Sequence, residues 1–145
     1  MNLYQTLKHY FGYDTLRPGQ QDLMEGILNG IDVLGIMPTG AGKSLCYQVP
    51  ALMLPGITIV ISPLISLMSD QVKALNQAGV HAAYINSSLT ENQIRAALLY
   101  AAQGQYKIIY VAPERLLTPE FLDFAVHAKI AMVAVSYTHL TLPTT

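Results

Sequence analysis

The chain is poor in cysteine, in tryptophan and in charge. Of its 145 residues, one is cysteine, none is tryptophan and 12% are charged, with a net charge of -1. The single cysteine, Cys46, excludes a disulfide framework and a cysteine-based metal site, and it favours a reducing compartment such as the cytoplasm. The near-neutral balance excludes a strongly basic nucleic-acid coat, although it is compatible with a local basic groove.

Long apolar runs are also missing. No stretch reaches the ~18 apolar residues that a membrane span needs, because Gly or Pro interrupts the longest runs. The N-terminus lacks the basic and apolar regions of a signal peptide, so no membrane partner is expected. What the chain does contain is 52% hydrophobic residues, which excludes intrinsic disorder and suffices for one buried core.

Short β-like runs alternate with helical patterns along the chain. The predicted helices cover about residues 3–11, 19–29, 45–54, 64–78, 90–103 and 118–127, and the predicted strands cover about residues 32–36, 57–61, 82–85, 107–111 and 130–135. Pro50 is expected to kink or shorten its helix. Strands without polar alternation, separated by helices, indicate a parallel sheet covered on both faces. The sequence therefore predicts an open α/β fold whose ligands bind at the carboxyl ends of the strands.

The sharpest motif is Met37–Ser44, which lies between a predicted strand and a predicted helix. Gly40 and Gly42 let backbone N–H groups turn toward phosphate oxygens. Lys43 is placed to reach the β- and γ-phosphates of a nucleotide, and the Ser44 hydroxyl is suited to ligate Mg²⁺. The strict pattern has Gly where this chain has Met37, and a glycine turn that happens to carry Lys-Ser is the alternative. The predicted nucleotide-binding residues here are Thr39, Gly40, Ala41, Gly42, Lys43 and Ser44.

A polar segment precedes this loop, and another follows the next predicted strand. The Gln20 amide can donate and accept at once, so it could pair with the edge of an adenine, with Arg17 nearby. Alternatively, the segment Arg17–Gln20 is an ordinary turn at the entry to a helix. Ser62–Ser66 lies at a strand end and helix start, which suits phosphate contacts but also an ordinary helix cap.

Two more polar segments follow later strands. Arg115 could contact a phosphate, or it could pair with Glu114 or another acid. Asn86 and Ser87 could form a polar contact loop or a simple turn. Each of these segments is weak when it is taken alone.

Taken together, the segments resemble the RecQ-type DNA helicases of superfamily 2. The segments that are similar to this family's motifs, in the same order, are Phe11–Tyr13 with Arg17–Gln20, Met37–Ser44, Ile61–Met68 with Asp70 and Gln71, Asn86–Ser87 and Tyr110–Leu116. In the family the first segment reads adenine, and the phosphate loop tolerates a first residue other than Gly. The resemblance covers about residues 3–135.

This resemblance implies an ATP- and Mg²⁺-dependent motor with two RecA-like P-loop domains that unwinds DNA from 3′ to 5′ in repair and recombination. ATP would lie between the domains, and single-stranded or duplex DNA would be the partner. Lys43 would be the catalytic residue of this chain, and Ser44 would hold Mg²⁺. The predicted DNA-contacting residues are Ser62, Pro63, Ser66, Asn86, Ser87 and Arg115. Two alternatives are an RNA helicase of the DEAD-box type and a P-loop module or kinase without a motor role.

The resemblance stops after Val135. Ile130–Val135 is similar to the strand that precedes Asp-Glu-Ala-His in the family, where the Asp holds Mg²⁺ and the Glu activates water. Here Ser136–His139 follow, and no carboxylate occurs after Asp123. Residues 1–134 are therefore expected to form an incomplete first RecA-like domain that binds ATP and DNA weakly and does not hydrolyse ATP.

The final segment, residues 135–145, has no charge and contains four of the chain's ten threonines. It resembles the translation of a sequencing-library adapter, so it is expected to be a non-native tail. A native variant tail is the alternative. Chromosomal DNA that encodes Asp-Glu-Ala-His after Val135 would support the first interpretation.

Overall fold

A sheet of four parallel strands forms the centre of the structure. The computed structural model describes residues 1–33 and 43–135. Its strands are β1 (Ile57–Ile61), β2 (Ala82–Ile85), β3 (Ile108–Val111) and β4 (Ile130–Val135). They lie in the order β2-β3-β1-β4, and every neighbouring pair is parallel. The predicted parallel sheet is confirmed for these strands, whereas most of the strand predicted at residues 32–36 lies outside the described residues.

Helices connect the strands. Those of the described residues are α1 (Leu3–Phe11), α2 (Gln20–Leu28), α3 (Leu45–Met53), α4 (Ile65–Gln77), α5 (Glu91–Ala102) and α6 (Pro119–His127), with a 3₁₀ turn at Pro113–Arg115. Within residues 1–33 and 43–135, no helix is long and apolar enough to cross a membrane.

Local capping chemistry sets where several helices begin and end. Thr90 precedes α5, where its hydroxyl accepts from the Gln93 N–H at 3.2 Å, while the Gln93 side chain accepts from the Thr90 N–H at 2.8 Å. This reciprocal pair satisfies two donors that a helix start leaves open. Gly12 ends α1 with a φ of 76°. Of the two effects expected of Pro50, a kink or a shortening, the shortening is not seen: α3 continues to Met53, and the Pro50 carbonyl still accepts from the Leu54 N–H at 2.9 Å.

Apolar side chains cover both faces of the sheet, as predicted. On one face α3 and α4 pack against β1 and β3 through a cluster that includes Tyr47, Ala51, Val60, Met68, Val72, Leu75, Ile108 and Tyr110. On the other face α5 and α6 contribute Ile94, Leu98, Phe121 and Phe124. Burial of one such large side chain stabilises the fold by about 1.5–3 kcal/mol, so the two clusters hold the layers together.

The first two helices pack mainly on α3. Leu3 and Leu7 of α1, Met24 of α2 and Val49 of α3 form a third buried cluster. The start of α2 is thereby attached to the helix that follows the phosphate-loop motif. The segment Arg17–Gln20 and residues 43–44 consequently belong to one packed unit.

Helix α3 runs antiparallel to the strands. Near its start, the Gln48 side chain donates to the hydroxyl of Tyr110, close to the carboxyl end of β3. Beyond its end, the Leu54 carbonyl accepts from the Lys107 ammonium at 2.5 Å, just before β3 begins. Burial lowers the pKa of Lys107. These two contacts place the beginning of α3 at the carboxyl edge of the sheet.

Gly56 provides a stability test of the turn that leads into β1. Its φ is 105°, and a Cβ atom there would lie 2.6 Å from the Lys129 carbonyl oxygen, which accepts from the Ile57 N–H. We expect Gly56→Ala to lower the free energy of unfolding by about 3 kcal/mol or more, since backbone strain and overpacking add. Gly104→Ala is the matched control, because Gly104 has a φ of 78° but open space around its Cβ. Its expected cost is about 1 kcal/mol; equal costs in urea unfolding would contradict the proposed clash.

Candidate functional site

Three strand ends meet at the carboxyl edge of the sheet. The Ser62 N–H, just after β1, donates to the Val111 carbonyl at 3.2 Å, and the Ala112 N–H, just after β3, donates to the Ile85 carbonyl at 3.0 Å. These bonds join the ends of β1, β3 and β2. The loops that carry the predicted contact residues are therefore neighbours, as the parallel sheet predicts.

Lys43 and Ser44 lie at the same edge, at the start of α3. Both are half-buried, and Ser44 is the N-cap residue. The Ser44 hydroxyl makes no capping bond to the helix, and the first turn of α3 contains no acidic side chain. The partial positive charge of the helix start is thus not offset within its own first turn. The other predicted loop residues, Thr39, Gly40, Ala41 and Gly42, lie outside the described residues.

The turn after β1 divides into a buried residue and exposed ones. Ser62 is 3% exposed, and its hydroxyl accepts from the Leu64 N–H at 3.3 Å. Pro63 and Ser66 are exposed. Ser62 therefore closes the turn, as the helix-cap alternative predicts, while Ser66 is open to a ligand.

The turn after β2 shows the same division. Asn86 is fully buried; its side-chain oxygen accepts from the Ser88 N–H at 2.8 Å, and its amide nitrogen lies 3.6 Å from the sulfur of Met68. Ser87 is exposed. Asn86 shapes the turn, while Ser87 faces solvent.

Arg115 is paired with an acid from another element. Its Nη1 lies 3.4 Å from the Glu91 carboxylate at the start of α5, and the two side chains are 21% and 58% exposed. The partner is Glu91 and not the neighbouring Glu114. A pair that is this exposed contributes only ~0–1 kcal/mol, so an incoming phosphate could compete for the guanidinium at modest cost.

The segment Arg17–Gln20 forms a closed turn at the start of α2. The Gln20 side-chain oxygen accepts from the Arg17 N–H at 2.6 Å, and the Gln20 N–H donates to the Arg17 carbonyl at 3.1 Å. Gln20 is 2% exposed, whereas Arg17 is exposed. The helix-entry turn is therefore present, and adenine recognition by Gln20 stays a prediction.

Sequence analysis missed a buried polar network beneath this edge. The Tyr47 hydroxyl lies 2.7 Å from the side-chain oxygen of Gln71 and 2.9 Å from the Tyr110 hydroxyl, which accepts from Gln48 at 3.0 Å. Burial raises the pKa of both tyrosines. A signal was available: Gln48 lies in an otherwise apolar run, Leu45–Met53, and a buried amide requires a partner.

Comparisons with known proteins agree with this arrangement. The profile of the family described as DEAD/DEAH box helicase matches residues 17–136. The chain is 48% identical over 134 residues to ATP-dependent DNA helicase RecQ of Bacillus subtilis, covering 92% of this chain and 23% of the relative. It is 45% identical over 133 residues to RecQ of Haemophilus influenzae, covering 92% and 22%. The chain thus spans less than a quarter of the length of these relatives.

A solved structure shares the fold. The crystal structure of the DUF1998 helicase MrfA bound to DNA and AMPPNP superposes with a TM-score of 0.74 at 15% identity. The superposition covers 93% of this chain and 20% of that one. The predicted RecA-like α/β architecture is therefore confirmed.

Proposed function

The chain belongs to the DEAD/DEAH box helicase family, and on that premise we propose that it forms part of the ATP-binding motor domain of a RecQ-type DNA helicase. The resemblance to RecQ-type helicases is confirmed by the similarity to relatives that carry this name. One observation carries the proposal: the start of α3 and the loops after β1, β2 and β3 share one edge of the sheet. Unwinding from 3′ to 5′, in repair and recombination, is the proposed activity of the whole protein.

The start of α3 fits the phosphates of ATP. Lys43 supplies a cation, the Ser44 hydroxyl is not used to cap the helix, and no carboxylate in the first turn repels an anion. We assign phosphate binding to Lys43 and a Mg²⁺-ligating role to Ser44, together with the loop residues 39–42. Mg²⁺, when bound, neutralises charge on the β- and γ-phosphates. Arg17 and Gln20 remain the proposed contacts for the base.

Binding without hydrolysis is the proposed behaviour of this chain. Hydrolysis in such motors requires a carboxylate to position the metal and a base or orienting group for the attacking water. After β4 the chain continues with Ser136–His139, and no Asp or Glu follows Asp123. Ser and Tyr do not replace these carboxylates at neutral pH.

The strand-end loops are the proposed DNA surface. Ser66 and Ser87 are exposed, and Arg115 presents a cation in the turn after β3. Such groups contact phosphates, which position a nucleic acid without reading its sequence. Ser62 and Asn86 act indirectly by shaping their turns, with Pro63 beside Ser62. We propose a cytoplasmic location, which the single cysteine, Cys46, supports.

The nucleotide assignment is tested by Lys43→Ala. We expect MgATP binding, measured by calorimetry, to weaken about tenfold or more, because a charge-assisted hydrogen bond contributes about 1.5–3 kcal/mol. Lys129→Ala removes the same charge from an exposed residue that precedes β4, at the opposite edge, and should leave binding unchanged. Equal binding by the Lys43→Ala chain would overturn the assignment.

The absence of hydrolysis is tested separately. Phosphate release by the unmodified chain, abolished by Lys43→Ala, would overturn the proposal that it does not hydrolyse ATP.

The DNA assignment is tested by opposite changes in the Arg115–Glu91 pair. Arg115→Gln should weaken binding of a dT oligonucleotide and reduce the slope of log K against log salt by about 0.7, the value for one lost phosphate contact on a single strand. Glu91→Gln should tighten binding about twofold to threefold, since it frees the guanidinium from a pair worth ~0.2–1 kcal/mol.

Two controls complete this test. Arg95→Gln removes an exposed cation whose guanidinium lies near Asn92 of the same helix, and it should leave the salt slope unchanged. An rU oligonucleotide that binds more tightly than dT would contradict the DNA assignment and favour an RNA helicase. Identical salt slopes for the unmodified and Arg115→Gln chains would exclude a phosphate contact by Arg115.

A further inference from the structure

A directed chain of hydrogen bonds links α3 to β3 and to α4. Gln71 presents its carbonyl oxygen, which only accepts, so the Tyr47 hydroxyl uses its single proton on that oxygen. The Tyr110 hydroxyl must then donate to Tyr47 across 2.9 Å, and its own oxygen accepts from the Gln48 amide at 3.0 Å. Because each hydroxyl has one proton to donate, the direction of donation is fixed. It runs from Gln48 to Tyr110, then to Tyr47 and then to Gln71.

The network is enclosed on the side of α3 and β3. Tyr47, Gln48 and Tyr110 are 8%, 6% and 2% exposed, and the rings of Tyr47 and Tyr110 meet edge to face with centroids 6.3 Å apart. The bonds that Tyr110 makes with Tyr47 and Gln48 are buried, and the Tyr47–Gln71 bond is part-buried. An unpaired buried hydroxyl or amide costs the full desolvation of that group, so displacement of one member displaces its partners.

The helices at the two ends of the network begin at the two proposed binding surfaces. Tyr47 lies three residues after Ser44, on the first turn of α3. Gln71 lies on α4, which begins just after the Ser62–Leu64 turn. Helix α4 also contacts the loop after β2, because the amide of Asn86 reaches the sulfur of its residue Met68.

We infer that Tyr47, Tyr110 and Gln71 are positioning residues that couple nucleotide binding at the start of α3 to DNA binding at the start of α4. This inference rests on the proposed function of both surfaces. Apolar packing alone is non-directional and allows small sliding between helices, whereas hydrogen bonds between Tyr47, Tyr110 and Gln71 fix the rotation of α3 relative to α4. A shift of α3 that accompanies nucleotide binding is therefore passed to the first turn of α4, which carries Ser66.

The test measures thermodynamic linkage in the full 145-residue chain. The dissociation constant of a fluorescent dT oligonucleotide is measured by anisotropy with and without saturating Mg-AMPPNP, and the ratio of the two constants is the coupling factor. We expect a coupling factor of about fivefold or more in the unmodified chain. Tyr47→Phe keeps the ring and removes the hydroxyl, and it should bring the factor close to one, while affinity for each ligand alone changes less than about threefold.

A matched control separates coupling from general loosening of the core. Tyr84 packs against the same cluster from β2, and its hydroxyl is not a member of the network. Tyr84→Phe should leave the coupling factor unchanged. Thermal unfolding of each variant identifies any that are not folded at the assay temperature, and Gln71→Met provides a second route to the same broken bond.

A double-mutant cycle tests whether Tyr47 and Gln71 act through one contact. Tyr47→Phe with Gln71→Met should lose no more coupling than either single change, because the second change has no bond left to remove. A larger loss of coupling in the double variant than in either single variant would overturn the inference. A folded Tyr47→Phe chain with the same coupling factor as the unmodified chain would overturn it too. Independent binding of the two ligands by the unmodified chain would also overturn it, while leaving the proposed function intact. Absence of binding by either ligand would instead reject the proposed function.

Discussion

The placement of α3 against β3 is the constraint on which the rest of the structure depends. One end of the helix is fixed by Tyr47 and Gln48, which bond to Tyr110 and Gln71, and the other end by Lys107, which bonds to the Leu54 carbonyl. Apolar burial supplies most of the free energy that holds these layers together. Apolar burial does not fix the position of α3 along β3, because α3 can shift by small distances and still bury a similar apolar area. The polar contacts fix this position, and the start of α3 comes to lie at the carboxyl edge.

This placement explains how residues that are distant in sequence form one surface. The loops after the parallel strands already share an edge, since parallel strands end on the same side. An antiparallel α3 adds Lys43 and Ser44 to that edge. The packing of α1 and α2 on α3 attaches the Arg17–Gln20 turn to the same helix. A nucleotide-dependent movement of α3 would therefore also move the Arg17–Gln20 turn and the loops at the carboxyl edge.

At this edge, buried residues shape the turns and exposed residues face solvent. Ser62, Asn86 and Gln20 are buried, and each accepts a backbone N–H within its own turn. Exposed residues lie next to those turns: Ser87 directly follows Asn86, and Ser66 lies in the first turn of α4. The buried motif residues therefore hold the turns, and the exposed ones are available to a ligand. Substitution of a buried motif residue is expected to change the shape of its turn, and to change ligand binding only as a consequence.

Sequence patterns predicted the elements well because those patterns are local. The strand predicted at residues 57–61 and the helix predicted at residues 90–103 are each specified within a few positions, by β-branched side chains and by Thr90 with Gln93, and both elements are confirmed. Partner choice was harder, because it depends on distant residues. Arg115 bonds to Glu91, 24 residues away, rather than to adjacent Glu114.

The same limit applies to the candidate site. The resemblance placed Asn86 among predicted contact residues, but sequence alone did not show that its amide is buried beside Met68. The polar network was missed for a similar reason, since Gln48 and Gln71 are separated along the chain and only the fold brings them to Tyr47 and Tyr110. Thr39–Gly42, whose roles rest on the motif alone, lie outside the described residues.

The buried network is tested most directly by titrating the tyrosines in the folded chain. With tyrosine labelled at the Cζ carbon with ¹³C, NMR follows each phenol as pH rises. Burial raises the pKa of Tyr47 and Tyr110, so two resonances should remain in the protonated state above the ordinary pKa of a phenol, about 10, and each should disappear in the corresponding Phe variant. Ionisation of Tyr47 and Tyr110 at the ordinary pKa of a phenol, while circular dichroism shows a folded chain, would contradict the network and the placement of α3 that depends on it.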